Sequence, residues 1–167
     1  MTILVLGINH KTASVALREK VAFSDEKRAF ALRHIRQIEL AESAVILSTC
    51  NRTEVYLHNK TVPPQETEHW IRQAIQWFAE IHQLDLAELQ RCLYTYENLP
   101  AVNHLMEVAC GFIDFRRATN FGTSEASLSN ERAALSTRTA SYFRRIIPFI
   151  SKNIFHGKTR AYGNQYW

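Results

Sequence analysis

Glycine and cysteine are scarce in this chain of 167 residues, and their scarcity excludes several kinds of protein. The five glycines form no G-x-G-x-x-G turn after a strand, so the signature of a dinucleotide-binding fold is missing. The three cysteines, Cys50, Cys92 and Cys110, are odd in number and far apart, which excludes a disulfide framework and a C-x-x-C metal pair. The length suits one domain with a real core better than two.

Long apolar runs are also missing. No run approaches the length needed to cross a bilayer, and residues 1–9 lack the charged start of a secretory signal. These absences predict a cytoplasmic protein with no membrane partner. The histidines show no metal-ligand spacing, so we expect no metal site.

Charge is distributed unevenly along the chain, whose net charge is +4. Residues 1–111 carry 11 basic and 13 acidic side chains, whereas residues 112–167 carry 9 basic and 3 acidic ones. A basic excess often indicates a nucleic-acid or anionic partner, but here it belongs entirely to the last third. That third also lacks clear hydrophobic periodicity, and we expect it to be irregular.

The first two-thirds predict alternating strands and helices. Short β-rich apolar runs predict strands at Thr2–Ile8, Ala44–Ser48 and Thr53–His58. Apolar residues at helical spacing, with cap and proline signals, predict four helices: one after the N-cap Ser24, one over Glu66–His82, one over Leu84–Leu93 and one from Pro100 toward Gly111. We therefore predict an α/β fold of the α+β kind, with a small sheet covered by helices.

The candidate chemistry lies in the polar turn between the second and third predicted strands. Cys50 follows a buried strand, which would project its sulfur from a rigid base into a pocket, as nucleophilic attack on an acyl group requires. Arg52 would favour the thiolate and could bind a carboxylate or phosphate. The alternative is that Cys50 is a small buried apolar residue, which is the interpretation that Cys92 and Cys110 fit well.

Four ordered segments of residues 1–111 resemble glutamyl-tRNA reductase. They are Gly7–Ala13 (GINHKTA), Leu17–Phe23 (LREKVAF), Leu47–Tyr56 (LSTCNRTEVY) and Ala101–Gly111 (AVNHLMEVACG). The resemblance implies the N-terminal catalytic domain of that family, here incomplete. It also implies that the chain belongs to an oxidoreductase that uses NADPH to reduce glutamyl-tRNA(Glu) to glutamate-1-semialdehyde, the first committed step of tetrapyrrole (porphyrin, 5-aminolevulinate) synthesis.

The same resemblance assigns roles to particular residues. It makes Cys50 the nucleophile that forms a thioester, and it places Thr49, Asn51 and Arg52 around the glutamyl group. It makes His104 the histidine that the family needs for activity, a role that the residue's place on a predicted helix would not have suggested. As partners it implies glutamyl-tRNA(Glu), a second copy in a homodimer, and glutamate-1-semialdehyde aminomutase.

The resemblance stops at about Gly111, where the family continues with a stretch like LDSLVLGEPQILGQVK. In a second reading frame, the codons of Gly111–Ala126 permit D-S-L-I-L-G-E-P-Q-I-L-G-Q-V-K. We therefore expect residues 112–167 to be an out-of-frame basic tail rather than a domain, and the NADPH-binding and dimerisation domains to be absent. The underlying DNA sequence decides this expectation.

Three functional interpretations follow. The chain is the thioester-forming part of glutamyl-tRNA reductase, or it is the inactive product of a disrupted gene, or it is a basic RNA-associated module that uses the arginines of residues 112–167. The third interpretation has little support, because no RNA-domain signature and no interleaved aromatic residues accompany those arginines.

Overall fold

The computed structural model describes residues 2–60 and 62–109 of the chain. The expectations for residues 112–167, an irregular and out-of-frame tail, lie outside the described residues. So does the side chain of Cys110.

Four antiparallel strands form a single sheet in the described part of the chain. They are β1 (Thr2–Asn9), β2 (Ser43–Ser48), β3 (Arg52–Asn59) and β4 (Tyr94–Glu97), in the order β2-β3-β1-β4. The first three confirm the predicted strands to within a residue at each end. The strand β1 lies inside the sheet, between β3 and β4.

Five helices accompany the sheet: α1 (Val15–Lys20), α2 (Asp25–Gln37), α3 (Pro64–His82), α4 (Leu86–Gln90) and α5 (Asn98–Ala109). The predicted N-cap of α2 is confirmed, because the side chain of Ser24 accepts a hydrogen bond from the backbone N–H of Lys27. Helix α3 ends at His82 as predicted but begins two residues before the predicted Glu66, at Pro64, which needs no N–H in the first turn of a helix. The small antiparallel sheet with helices confirms the predicted fold class.

Two elements were not predicted. Helix α1 is only six residues long, too short for apolar periodicity, and the visible sign of it is Ser14, whose side chain caps Leu17. Strand β4 has only four residues, and its central pair is exposed, so the sequence shows no alternating hydrophobic pattern that would indicate a strand. The predicted helix over Leu84–Leu93 is wrong in length, because α4 ends at Gln90 and the chain turns there into β4.

The main core lies against one face of the sheet. Alternate residues of β1 and β3 point to it, and they cluster with apolar side chains of the first four helices. The largest contributions come from α3, which buries Trp70, Trp77 and Phe78. At roughly 1.5–3 kcal/mol per large side chain, burial of this cluster is the main source of stability for the sheet.

The described residues fall into two compact units. The sheet, the helices α1 to α4 and the start of α5 belong to the unit Met1–Ala101, whereas residues 102–109 of α5 belong to the second. Within residues 2–60 and 62–109, no helix is both long and apolar enough to cross a membrane.

Candidate active site

Cys50 lies at the tip of the tight turn that joins β2 to β3, and it is exposed. Thr49 fixes this turn from within. Its backbone N–H donates to the carbonyl of Arg52 at 2.8 Å, and its hydroxyl accepts from the backbone N–H groups of Asn51 and Arg52, both at 3.2 Å. A threonine hydroxyl that takes up two backbone donors locks a turn that has no glycine. The sulfur of Cys50 therefore sits on a rigid base.

Neighbouring elements hold the same turn from outside. The backbone N–H of His10, just after β1, donates to the carbonyl of Asn51 at 2.9 Å. The guanidinium of Arg18, on α1, donates from Nη1 to the carbonyl of Cys50 itself. Beside the turn, the backbone N–H of Phe23 donates to Oγ of Ser48 at 3.0 Å. These contacts tie the turn to β1 and α1, so the position of Cys50 is set by the fold as a whole.

A cleft of about 550 Å³ opens beside Cys50. The turn supplies one wall, and the other wall comes from α1 and the residues that follow it. The lining consists of residues 48–51 together with Val15, Arg18, Glu19, Ala22 and Phe23. Its size suits a small acyl group, and a nucleophile at the edge of such a cleft can reach a bound carbonyl carbon.

Three of the site residues predicted from sequence lie together at this cleft: Thr49, Cys50 and Asn51. Arg52 lies elsewhere. Its side chain is 1% exposed, and it donates from Nη1 to Oε1 of Glu54 at 2.8 Å in a fully buried ion pair. The structure thus places the Arg52 guanidinium under the sheet rather than among the cleft-lining residues. Its predicted contact with the glutamyl group stays a prediction.

Glu54 is the centre of a buried polar network on the face of the sheet opposite the main core. Besides Arg52, the hydroxyls of Tyr56 and Tyr94 both donate to its carboxylate. Burial, followed by the charge of Glu54, raises the pKa of Tyr56 and of Tyr94 well above the ordinary value of 10.0. Both phenols therefore stay protonated and act as donors, and the network fixes the base of β3 directly after the Cys50 turn.

The other predicted candidates are placed as follows. The imidazole of His104 is 8% exposed on α5, in the second unit, and its predicted role stays a prediction. Cys92 is buried, and its thiol donates to the carbonyl of Leu89 at 3.2 Å. Burial raises the pKa of this thiol, so Cys92 fits the predicted role of a small core residue.

Sequence reasoning missed the contribution of α1 to the cleft. Arg18 and Glu19 stand in the segment LREKVAF, which carried part of the resemblance, but no periodicity or spacing connects them with Cys50. The only local sign was Ser14 as a helix cap, which would have placed both residues on one short helix. Among residues 2–60 and 62–109, no group of three or more His, Cys, Asp or Glu side chains could hold a metal ion.

This geometry defines a class of protein: a small α+β domain that presents an exposed cysteine from a strand–turn–strand base. The family model described as the N-terminal domain of glutamyl-tRNA(Glu) reductase matches residues 6–113. The chain therefore belongs to the family of glutamyl-tRNA reductase N-terminal domains, as the sequence motifs predicted.

Similar proteins carry the same family name. The chain is 73% identical over 111 residues to a glutamyl-tRNA reductase of Histophilus somni strain 129Pt, which covers 66% of this chain and 26% of that relative. It is 47% identical over 167 aligned positions to one from Actinobacillus pleuropneumoniae serotype 3, covering 87% of this chain and 38% of the relative. The chain thus spans between a quarter and two-fifths of the length of these relatives.

A solved structure of glutamyl-tRNA reductase from Methanopyrus kandleri is also similar. The identity is 27%, the TM-score is 0.44, and the match covers 65% of this chain and 22% of that one.

Proposed function

We propose that this chain carries the acyl-accepting site of glutamyl-tRNA reductase, with Cys50 as the nucleophile. The sulfur of Cys50 attacks the carbonyl carbon of the ester that joins glutamate to the terminal ribose of the tRNA. A carbon–sulfur bond forms and the carbon–oxygen bond to the ribose breaks. The ribose oxygen leaves as a hydroxyl with the proton that the thiol gave up, and the product is a glutamyl thioester on Cys50.

The observation that carries this proposal is the position of Cys50, exposed on a locked turn at the edge of a cleft of about 550 Å³. A cysteine that served only packing would be buried, as Cys92 is. Holding the sulfur on a rigid base lowers the entropic cost of bringing it to the acyl carbon.

Thr49 and Asn51 have supporting roles in this proposal. Thr49 holds the turn through two backbone donors, so its effect on the reaction is one of position. Asn51 lines the cleft, and in this proposal its side-chain amide hydrogen-bonds the bound acyl group. We keep His104 as the histidine that the family resemblance assigns to activity, on α5.

The described residues do not fit NADPH. A dinucleotide site needs glycines that let the backbone approach a pyrophosphate, and the single glycine in residues 2–60 and 62–109 is Gly7. A Cβ added at Gly7 would lie 2.5–2.6 Å from the ring of Tyr94, so that space is already filled by this side chain. We derive no hydride transfer from these residues, and the reaction proposed for this chain ends at the acyl-cysteine.

For the longer relatives' activity, the proposal follows the family resemblance. As that resemblance implies, NADPH would supply the hydride that converts the thioester to glutamate-1-semialdehyde for tetrapyrrole synthesis, in a homodimer that would work with glutamate-1-semialdehyde aminomutase. The part of this activity that the present residues support is the first chemical step.

A single-turnover assay tests the proposal. The purified chain is mixed with glutamyl-tRNA labelled on the glutamate, and the protein is then denatured and examined for covalently bound label. We expect label on the wild-type chain and none on Cys50→Ser, because the serine hydroxyl lacks the nucleophilicity of a thiolate. Hydroxylamine should release the label, as it does from thioesters.

The matched control is Cys92→Ser, which changes the buried cysteine and leaves the cleft intact. It should trap label as the wild-type chain does. If the wild-type chain traps no label and shows no Cys50-dependent loss of the ester, while a full-length relative is active alongside, the proposal is wrong and the chain is an inactive member of its family.

A further inference from the structure

We propose that the side-chain amine of Lys27 is an acylation site, which accepts a small acyl group from an activated donor of the acyl phosphate class. This modification does not depend on the reaction proposed for Cys50. Lys27 is the third residue of α2 and is half-buried. Its amine contacts the imidazole of His82, the last residue of α3, and lies over the ring of Phe23.

A positive charge on Lys27 is poorly compensated. The residue lies in the first turn of α2, where the free N–H groups of the helix already carry positive partial charge. The first-turn carboxylate of Asp25 pairs with Arg28, and Glu26 is exposed. In the described part of the chain, Lys27 forms no ion pair with a carboxylate. Burial, which removes water from the ammonium, lowers the pKa of Lys27 from its ordinary value of 10.5.

His82 holds the amine in place by a hydrogen bond that does not require the charge. Nζ of Lys27 lies 2.8 Å from Nδ1 of His82. Burial, and next the charge of Lys27, lowers the pKa of His82 from 6.5 to about 3, so at neutral pH the imidazole is uncharged and its Nδ1 accepts from Lys27. The centre of the Phe23 ring lies 5.7 Å from Nζ, near the outer limit of a cation–π contact. An uncharged amine still has an N–H for Nδ1, so the contact with His82 survives the loss of the charge.

These surroundings favour an acyl donor over an aldehyde as the modifying agent. An aldehyde gives an imine, which has no N–H when it is neutral and carries the unfavourable charge when it is protonated. An amide has no charge and keeps one N–H, which can donate to Nδ1 of His82. Acylation of Lys27 therefore removes the partly buried charge and retains the hydrogen bond.

The covalent step is an acyl transfer to nitrogen. The lone pair of the unprotonated Nζ attacks the carbonyl carbon of the acyl phosphate, a carbon–nitrogen bond forms, and the carbon–oxygen bond to the phosphate breaks. The phosphate leaves with the electron pair of that bond and takes up the proton that the nitrogen loses. Because the step needs Lys27 in its amine form, the groups around Nζ decide the pH at which it occurs.

The test is the pH dependence of acetylation in the full wild-type chain. The chain is treated with acetyl phosphate from about pH 7 to about pH 11, and acetylation of each lysine is followed by peptide mass spectrometry. The exposed Lys11, Lys20 and Lys60 are internal references. We expect the acetylation rate of Lys27 to level off at a lower pH than that of any reference, because its amine is released at a lower pH.

The shape of each profile does not depend on how easily the reagent reaches the lysine, since access scales the rate equally at every pH. A Lys27 profile that coincides with those of the references overturns the proposal. So does a Lys27 that stays unmodified while the references react. In the chain unfolded in urea the four profiles should coincide, and a difference that persists there shows that the surroundings of Lys27 in the fold are not the cause.

The contact with His82 is tested by an NMR titration of its imidazole. Lys27→Gln places an uncharged amide at this position and imitates the acylated side chain. We expect His82 to protonate at a higher pH in this variant than in the wild-type chain, because the charge of Lys27 contributes to its lowered pKa. Lys11→Gln, the same change at an exposed lysine, should leave the titration of His82 as it is. A titration that is also unchanged in Lys27→Gln shows that the amine and the imidazole are not coupled and overturns the proposal.

Discussion

The two faces of the sheet are both buried, but they are held together by different forces. On one face Leu4, Leu6 and Leu57 pack among the apolar side chains of the helices. On the other, Arg52 and Glu54 are just as deeply buried, with 1% and 0% of their side chains exposed. The strand β3 contributes to both faces, Leu57 to one and Arg52 and Glu54 to the other, because alternate residues of a strand point to opposite faces.

The difference shows on which face of the sheet a particular residue type is required. Apolar packing depends on volume and tolerates exchange between residues of similar size. A buried ion pair depends on every partner, since removal of one leaves another charge without compensation in a medium of low dielectric constant. Because the polar network begins directly after the Cys50 turn, the start of β3 depends on the less tolerant of the two faces.

The largest effect should come from Glu54→Gln. The shape of the side chain is nearly unchanged, but the buried ion pair with Arg52 is lost and two phenols lose a charged acceptor. We expect a loss of about 3–5 kcal/mol in the free energy of unfolding, measured by urea denaturation at neutral pH.

The control for Glu54→Gln is Leu57→Met, an equally conservative exchange on the other face of the same strand. It should cost less than about 1.5 kcal/mol, because volume is conserved. If the two exchanges cost the same, the two faces do not differ in the way proposed.

A smaller loss of stability should follow from the protonation of His82, a polar side chain that lies among the apolar ones. Its ring lies 4.6 Å from those of Phe23 and Phe78, and Nζ of Lys27 lies 2.8 Å from its Nδ1. Burial, and next the charge of Lys27, lowers the pKa of His82 from 6.5 to about 3. The folded chain therefore holds His82 neutral at pH values where the unfolded chain protonates it.

The direction of the pH dependence follows. Between about pH 6.5 and pH 3 the unfolded chain binds more protons, so the free energy of unfolding falls as the pH falls through this window. From pH 7 to pH 5 the contribution of His82 amounts to about 2 kcal/mol. Urea denaturation of the wild-type chain and of His82→Gln at both pH values measures it. Equal losses in the two chains would show that His82 is not the group responsible.

Much of the fold could be predicted from the sequence because its signals are local. Ser24 before two acidic residues specifies the start of α2, and the apolar stripe of α3 is long enough to be unmistakable. Strand β4 could not be predicted, since its four residues become a strand only through pairing with β1, from Leu4–Gly7, about ninety residues earlier in the chain.

The candidate site was predictable in part for the same reason. Cys50 and its turn form a contiguous segment, so a strand–turn–strand pattern was enough to single out the cysteine. Arg18 comes to the cleft through a contact 32 residues apart in sequence, which no local pattern encodes. Arg52 is only two residues from Cys50 in the sequence, which suggested a shared site. The sequence could not show that Glu54 would bind the guanidinium of Arg52 beneath the sheet.

The smallest loss of stability should come from a substitution of Gly7, which lies on β1 between the two neighbouring strands. Gly7 pairs with Glu54 on β3 and with Tyr94 on β4, and the ring of Tyr94 crosses it to donate to Glu54. A methyl group there would lie 2.5–2.6 Å from that ring, so Gly7→Ala should cost about 1–2 kcal/mol in urea denaturation. In a Tyr94→Ala background the ring is gone, and the same change should be neutral or slightly stabilising, since alanine loses less entropy than glycine on folding. If the cost is the same in both backgrounds, glycine is required at this position for a reason other than the passage of the tyrosine to Glu54.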